Sequence, residues 1–144
     1  MKKIIFSTFL IAASLIIPLE ANAQCNSFTK SKCAPKVKPY NNIEQMHSTT
    51  LLSNDKLKMN MTFYYGDEYR IVVCADEKLG KLTMNLKDKN NKVVFTTSGY
   101  GSIQWDFNVQ ATQELILEVI TAPAPKGEEL DRSGCVSVVT AIML

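Results

Sequence analysis

The chain has 144 residues, of which 46% are hydrophobic and 21% charged, and its 16 Lys and Arg against 14 Asp and Glu give a formal net charge of +2. That near balance argues against nucleic acid or an anionic membrane as the main partner, and the length suits one domain with a core of its own. Four cysteines with no C-x-x-C spacing among them are, in an exported chain, the pattern of disulfides rather than of metal or redox chemistry.

Lys2 and Lys3 precede an apolar run from Ile4 to Leu19, followed by Ala21, Asn22 and Ala23. This is the order of a secretory signal peptide, predicted to occupy residues 1–23 and to leave an exported product, periplasmic or extracellular. The apolar run is shorter than a membrane-spanning helix requires, so no transmembrane segment is expected. Lipid attachment at Cys25 is disfavoured because Gln24 is not a small residue.

Residues 24–54 are expected to form an irregular N-terminal arm, because "SFTKSKCAPKVKPYNN" mixes four Lys and two Pro with no sustained period. A single helical turn near Ile43 to His47 is the most that this segment suggests. The sandwich domain is placed at residues 55–144. Leu57, Met59, Met61 and Phe63 alternate with polar residues, the period of a half-buried strand. In "EYRIVVCA" Tyr69, Ile71 and Val73 share one face while Val72 and Cys74 make the other face apolar too, which predicts a central strand covered on both sides.

Leu82, Met84 and Leu86 alternate next, and Asn90-Asn91 supplies the positive-φ chemistry of a tight hairpin into "KVVFTT". Ser98 to Gly101 reads as a turn. Ile103, Trp105, Phe107 and Val109 then point inward, with Gln104, Asp106 and Asn108 outward, so the one Trp is expected in the core and Tyr100 on the surface. "ELILEVIT", a long Pro-containing loop and the β-branched "CVSVVTAIML" complete the chain.

These elements predict an all-β fold: an antiparallel sandwich, jelly-roll-like, of about seven to eight strands with a disulfide-pinned arm. Four cysteines allow three pairings, and sequence does not choose among them. The preferred one joins Cys25 to Cys33 in a short loop and Cys74 to Cys135 as a long tie between strands.

"FYYGDEYRIVVC", "LKDKNNKVVF", "WDFNV", "LILEV" and "SGCVSVV", together with "SKCAPKVKPY" near the N-terminus, resemble a group of small exported proteins of Bacteroidetes-type bacteria. More loosely, the chain is similar to the jelly-roll domains of the pre-peptidase C-terminal type. The resemblance implies export and a sandwich, and it implies no catalytic mechanism.

The residues themselves offer little catalytic chemistry. The one His, His47, lies in a polar segment, and its neighbour Ser48 makes no triad by sequence adjacency. A multi-His zinc site is impossible with one His. Asp76, Glu77, Glu128, Glu129 and Asp131 are the oxygen ligands that would serve a calcium ion, without EF-hand spacing. "SGYGS" lacks the Lys and the following helix of a phosphate loop.

No cofactor is therefore expected, and no enzyme activity. The expected function is a non-catalytic binding or supporting domain at the bacterial cell envelope, with a protein or glycan partner. Tyr100, Lys36 and Lys38 are the candidate ligand contacts. One alternative is a peptidase inhibitor that presents the stiff loop "TAPAPKGEEL"; a small hydrolase built on loop carboxylates is a weaker one.

Overall fold

A computed structural model describes residues 25–128 and 132–144. The expected signal peptide lies outside them. Among the described residues there are eight strands: β1 (Asn42–Leu52), β2 (Lys56–Phe63), β3 (Glu68–Ala75), β4 (Lys81–Lys87), β5 (Val93–Tyr100), β6 (Ser102–Asn108), β7 (Gln113–Thr121) and β8 (Ser133–Ile142). They form two four-stranded antiparallel sheets, ordered β1-β8-β3-β6 and β2-β7-β4-β5. Neighbours within each sheet are mostly distant in sequence because the chain crosses between sheets at successive turns, as in a jelly roll. No helix among the described residues is long and apolar enough to cross a membrane.

The alternating strands bury the faces that their period predicts. Phe63, Ile71, Val73, Leu82, Met84 and Leu117 are among the residues that fill the space between the sheets. Each such side chain contributes roughly 1.5–3 kcal/mol on leaving water. In the hairpin turn between β4 and β5, Asn91 takes φ 62° and the Asp88 carboxylate accepts the backbone N–H groups of Asn90 and Lys92.

The central strand is β3, flanked by β8 and β6, and both its faces are covered. Its second face is covered by the arm and not by another sheet. Residues 25–28 are helical and continue into a π-helical segment, Thr29–Cys33, and a 3-10 turn, Ala34–Val37. Cys33, Val37 and Tyr40 pack there on Val72, Val139 and Ala141, forming a second small core.

Four expectations are corrected. The disulfides join Cys25 to Cys135 and Cys33 to Cys74, with Cα separations of 5.2 and 5.7 Å; the helical winding of the arm turns Cys25 and Cys33 onto different strands instead of toward each other. The second half of the expected irregular arm is β1, a strand through Ile43–His47 where a helical turn was expected. It is an edge strand defined by its pairing with β8, and its inward period is broken by a bulge between Ile43 and Gln45.

The turn after β5 is confined to Gly101, φ 75°, because Ser98 to Tyr100 still belong to the strand and the chain changes sheets in one residue. Trp105 is half-buried, unlike Ile103 and Val109, because β5 and β6 are both edge strands and the gap between the sheets opens to solvent there.

Candidate ligand cleft

At the end of the sandwich where β3 ends and β6 begins, the arm and two connections enclose an open cleft of about 830 Å³. Its floor is the end of β3, Cys74 and Ala75, beside Ser102. One wall is the arm, presenting Phe28, Lys32 and Lys36; the other comprises Glu77 and Lys78 of the β3–β4 connection and Tyr100 at the sheet-switching corner. Tyr100 is 75% exposed, an aromatic face turned to solvent.

Each wall is held from behind. The Ala75 N–H donates to the Gly101 carbonyl at 2.9 Å and fixes the corner. Asp76 accepts the Cys135 N–H at 2.7 Å, and its side chain lies so close to Gly134 that a Cβ there would stand 2.7 Å from it. Cys33–Cys74 bonds the arm directly to the cleft floor.

Arg70 completes the attachment. From β3 its guanidinium pairs with Asp106 at 2.6 and 2.7 Å, donates to the Lys38 carbonyl at 2.6 Å and lies 4.5 Å from the centre of the Tyr40 ring. The Asp106 hydrogen bonds outweigh burial and hold Arg70 protonated. The Tyr40 hydroxyl donates to Glu68 at 2.7 Å, and burial, aided by that carboxylate, pushes its pKa up to about 12.

Of the residues expected to contact a ligand, Tyr100 and Lys36 meet at the cleft. Lys38 is exposed and does not line it; its carbonyl serves the Arg70 clamp. Among the described residues, the calcium candidates Asp76, Glu77 and Glu128 form no ligand group. Asp76 is engaged by Cys135, Glu128 pairs with Arg132, and Glu129 and Asp131 lie outside the described residues. Among the described residues no group of three or more His, Cys, Asp or Glu is arranged to hold a metal ion.

His47 is exposed on β1, and Ser48 donates to Asn26 rather than to it. Sequence reading missed Phe28 and Arg70. For Arg70 a signal existed: it is the one charged residue between Tyr69 and Ala75 on a strand apolar on both faces.

Three Lys against Glu77 and an already engaged Asp76 give the cleft a positive balance, and Phe28 and Tyr100 give it two aromatic surfaces. Such a site stacks on a ring or an apolar group and hydrogen-bonds acceptors at its rim. No histidine lines it.

No protein-family model and no curated protein matches the chain. Among solved structures it is similar to PliG of Aeromonas hydrophila, a periplasmic lysozyme inhibitor of g-type lysozyme. The identity is 12% and the TM-score 0.47, over 69% of this chain and 85% of that one.

Proposed function

We propose that the protein is an exported, non-catalytic β-sandwich that binds a protein or glycan of the bacterial cell envelope through the cleft beside Tyr100. The observation that carries this reading is the convergence of an exposed Tyr with Phe28, Lys32 and Lys36 of an arm that two disulfides and an arginine clamp hold in place. An arm fixed in this way binds without the entropy cost of being ordered. Both disulfides support maturation in an oxidising compartment, and the sequence order of residues 1–23 supports export.

The test replaces Tyr100 with a photo-crosslinking phenylalanine analogue and, in parallel, measures binding of wild type, Tyr100→Ala and Lys36→Ala to an array of envelope glycans. A crosslink to a defined envelope protein, or glycan binding that falls about tenfold in Tyr100→Ala, supports the cleft. No crosslink together with no glycan binding, or turnover of substrate in a hydrolase panel, overturns the reading.

A second reading, presentation of the β7–β8 loop to a peptidase, has one observation in its favour. The base of that loop is anchored, with Ser53 and Arg132 exchanging hydrogen bonds and Arg132 pairing with Glu128. Lack of inhibition across a peptidase panel removes it.

A further inference from the structure

The arm covers one outer face of the sandwich; among the described residues no segment covers the other, on the β2-β7-β4-β5 sheet. On β2 the outward residues Lys56, Lys58, Asn60 and Thr62 are all exposed. At the centre of that face stands Glu118 of β7, whose sequence neighbours Leu117 and Val119 are in the core, so that its own side chain is directed away from the core. It is only 2% exposed.

Register places Lys58 opposite it on β2 and Asn85 opposite it on β4. Lys87 Nζ lies 3.1 Å from Glu118 Oε2, Lys58 Nζ 3.6 Å and Lys56 Nζ 3.7 Å. All three ammonium nitrogens are thus within 3.7 Å of a single oxygen. Asn85 donates to Oε1 at 3.2 Å and accepts from Thr96 at 2.6 Å, which fixes the carboxylate from its far side.

One carboxylate facing three ammonium groups leaves two positive charges unmatched. Other nearby acids do not supply the missing counter-charge: Asp55, next to Lys56, is engaged by the backbone N–H groups of Leu52 and Lys56. Asp88 is turned into the β4–β5 hairpin, and Glu114 sits opposite Thr62, at the other end of β7. Crowding like charges is unfavourable in an isolated molecule, and a divalent anion with several acceptor oxygens removes the imbalance.

We propose that Lys56, Lys58 and Lys87, gathered by Glu118, form an anion site that takes the phosphoryl group of a phosphorylated glycan. A phosphomonoester carries nearly two negative charges at neutral pH and three acceptor oxygens, which matches the surplus and the number of ammonium groups. Lysine binds phosphate as a point charge on a flexible stem, so its three ammonium groups adjust to a tetrahedral ligand. The surrounding face offers Asn60, Thr83 and Thr96 as hydroxyl and amide partners for the hydroxyls of a sugar, with Ile116 and Ile120 of β7 beside Glu118 for its apolar C–H face. This site is centred on Glu118, shares no residue with the cleft that the arm lines, and does not depend on it.

Glucose 1-phosphate and inorganic phosphate are titrated into the disulfide-bonded protein while its backbone amides are followed by NMR, and vesicles containing phosphatidic acid are tested by co-sedimentation. Saturable shifts at Lys56–Asn60 and Asn85–Lys87 are expected, with glucose 1-phosphate the tighter ligand. Affinity should fall about tenfold or more in the double variant Lys56→Gln/Lys58→Gln, which removes both charges while keeping polar side chains and leaves Lys87 on Glu118. It should be unchanged in Lys30→Gln, a lysine of the arm outside both sites, and thermal melting verifies that both variants fold. Equal affinity in the double variant and wild type overturns the assignment, as do absent saturation and tighter binding of inorganic phosphate. Sedimentation with the vesicles without binding of the sugar phosphate overturns it as well.

Discussion

Trp105 lies between Phe95 and Phe107, with ring centroids 3.9 and 4.1 Å away and planes within 16° of parallel. Phe95 belongs to one sheet and Trp105 to the other, so this stack closes the side of the sandwich that has no covering strand. Trp105→Ala should cost about 3 kcal/mol, the lower end for a large aromatic because the ring is half-buried; chemical denaturation measures it, and a loss below about 1 kcal/mol would show that the stack is incidental.

Glu118 makes a second prediction at this scale. Burial opposes its ionisation, but hydrogen bonds from Lys87 and Asn85, with the charges of Lys87 and Lys56, prevail and hold its pKa at about 2. A carboxyl whose folded pKa is depressed stabilises the protein above its ordinary value of 4.5 and loses that contribution as pH falls toward 2. The melting temperature of wild type should therefore exceed that of Glu118→Gln at pH 6, and the difference should close between about pH 4.5 and 2. A gap independent of pH would assign the effect to packing.

At the scale of elements, the arm and β1 show what side-chain pattern does and does not reveal. In β2, β3 and β4 one face is buried in a core, so alternation is written into the sequence. In β1 only Leu51 is fully buried among exposed and half-exposed neighbours, and backbone pairing with β8 makes it a strand; "NIEQMHSTTLL" contains no period to find. The arm has the opposite character. Its own sequence is irregular, and its position is set by what it meets, namely Cys74, Cys135 and Arg70.

Replacing Cys33 and Cys74 together with Ala should accordingly separate two properties. The chain-entropy model assigns a link of this span about 4 kcal/mol, yet the interior between the sheets involves neither cysteine. The variant should stay folded by circular dichroism, melt at a lower temperature and expose the arm to limited proteolysis near Lys32 and Lys36. An arm as resistant as in wild type would show that Arg70, Tyr40 and the remaining Cys25–Cys135 bond suffice to hold it.

For the whole molecule, the class of fold was legible because buried alternation recurs along the chain, and β3 was legible as central because both its faces are apolar. The order of strands was not. Alternation tells which face of a strand is buried and nothing about which strand lies beside it, and β8 pairs with β1 and β3, far from it in sequence. The same limit applied to the cleft: Tyr100 and Lys36 were each readable as exposed, but their meeting depends on the path of the arm. Glu118 was hidden for a related reason, since its three lysines come from two other strands.

The disulfides are nested: Cys33–Cys74 lies within Cys25–Cys135, and the first cysteine of the chain is bonded to the last. This imposes an order in time. In a chain that enters an oxidising compartment N-terminus first, Cys25 and Cys33 arrive together, long before either native partner, and the earliest bond open to them is the wrong one. Cys33 can reach Cys74 of β3 before β8 is delivered, but the arm is locked at both points only once Cys25 has met Cys135 and any such premature bond has been exchanged. The cleft, which uses the arm as a wall, is therefore complete only when both native bonds are in place, and oxidation of the thiols without reshuffling would leave some chains with a sandwich and an unfinished cleft.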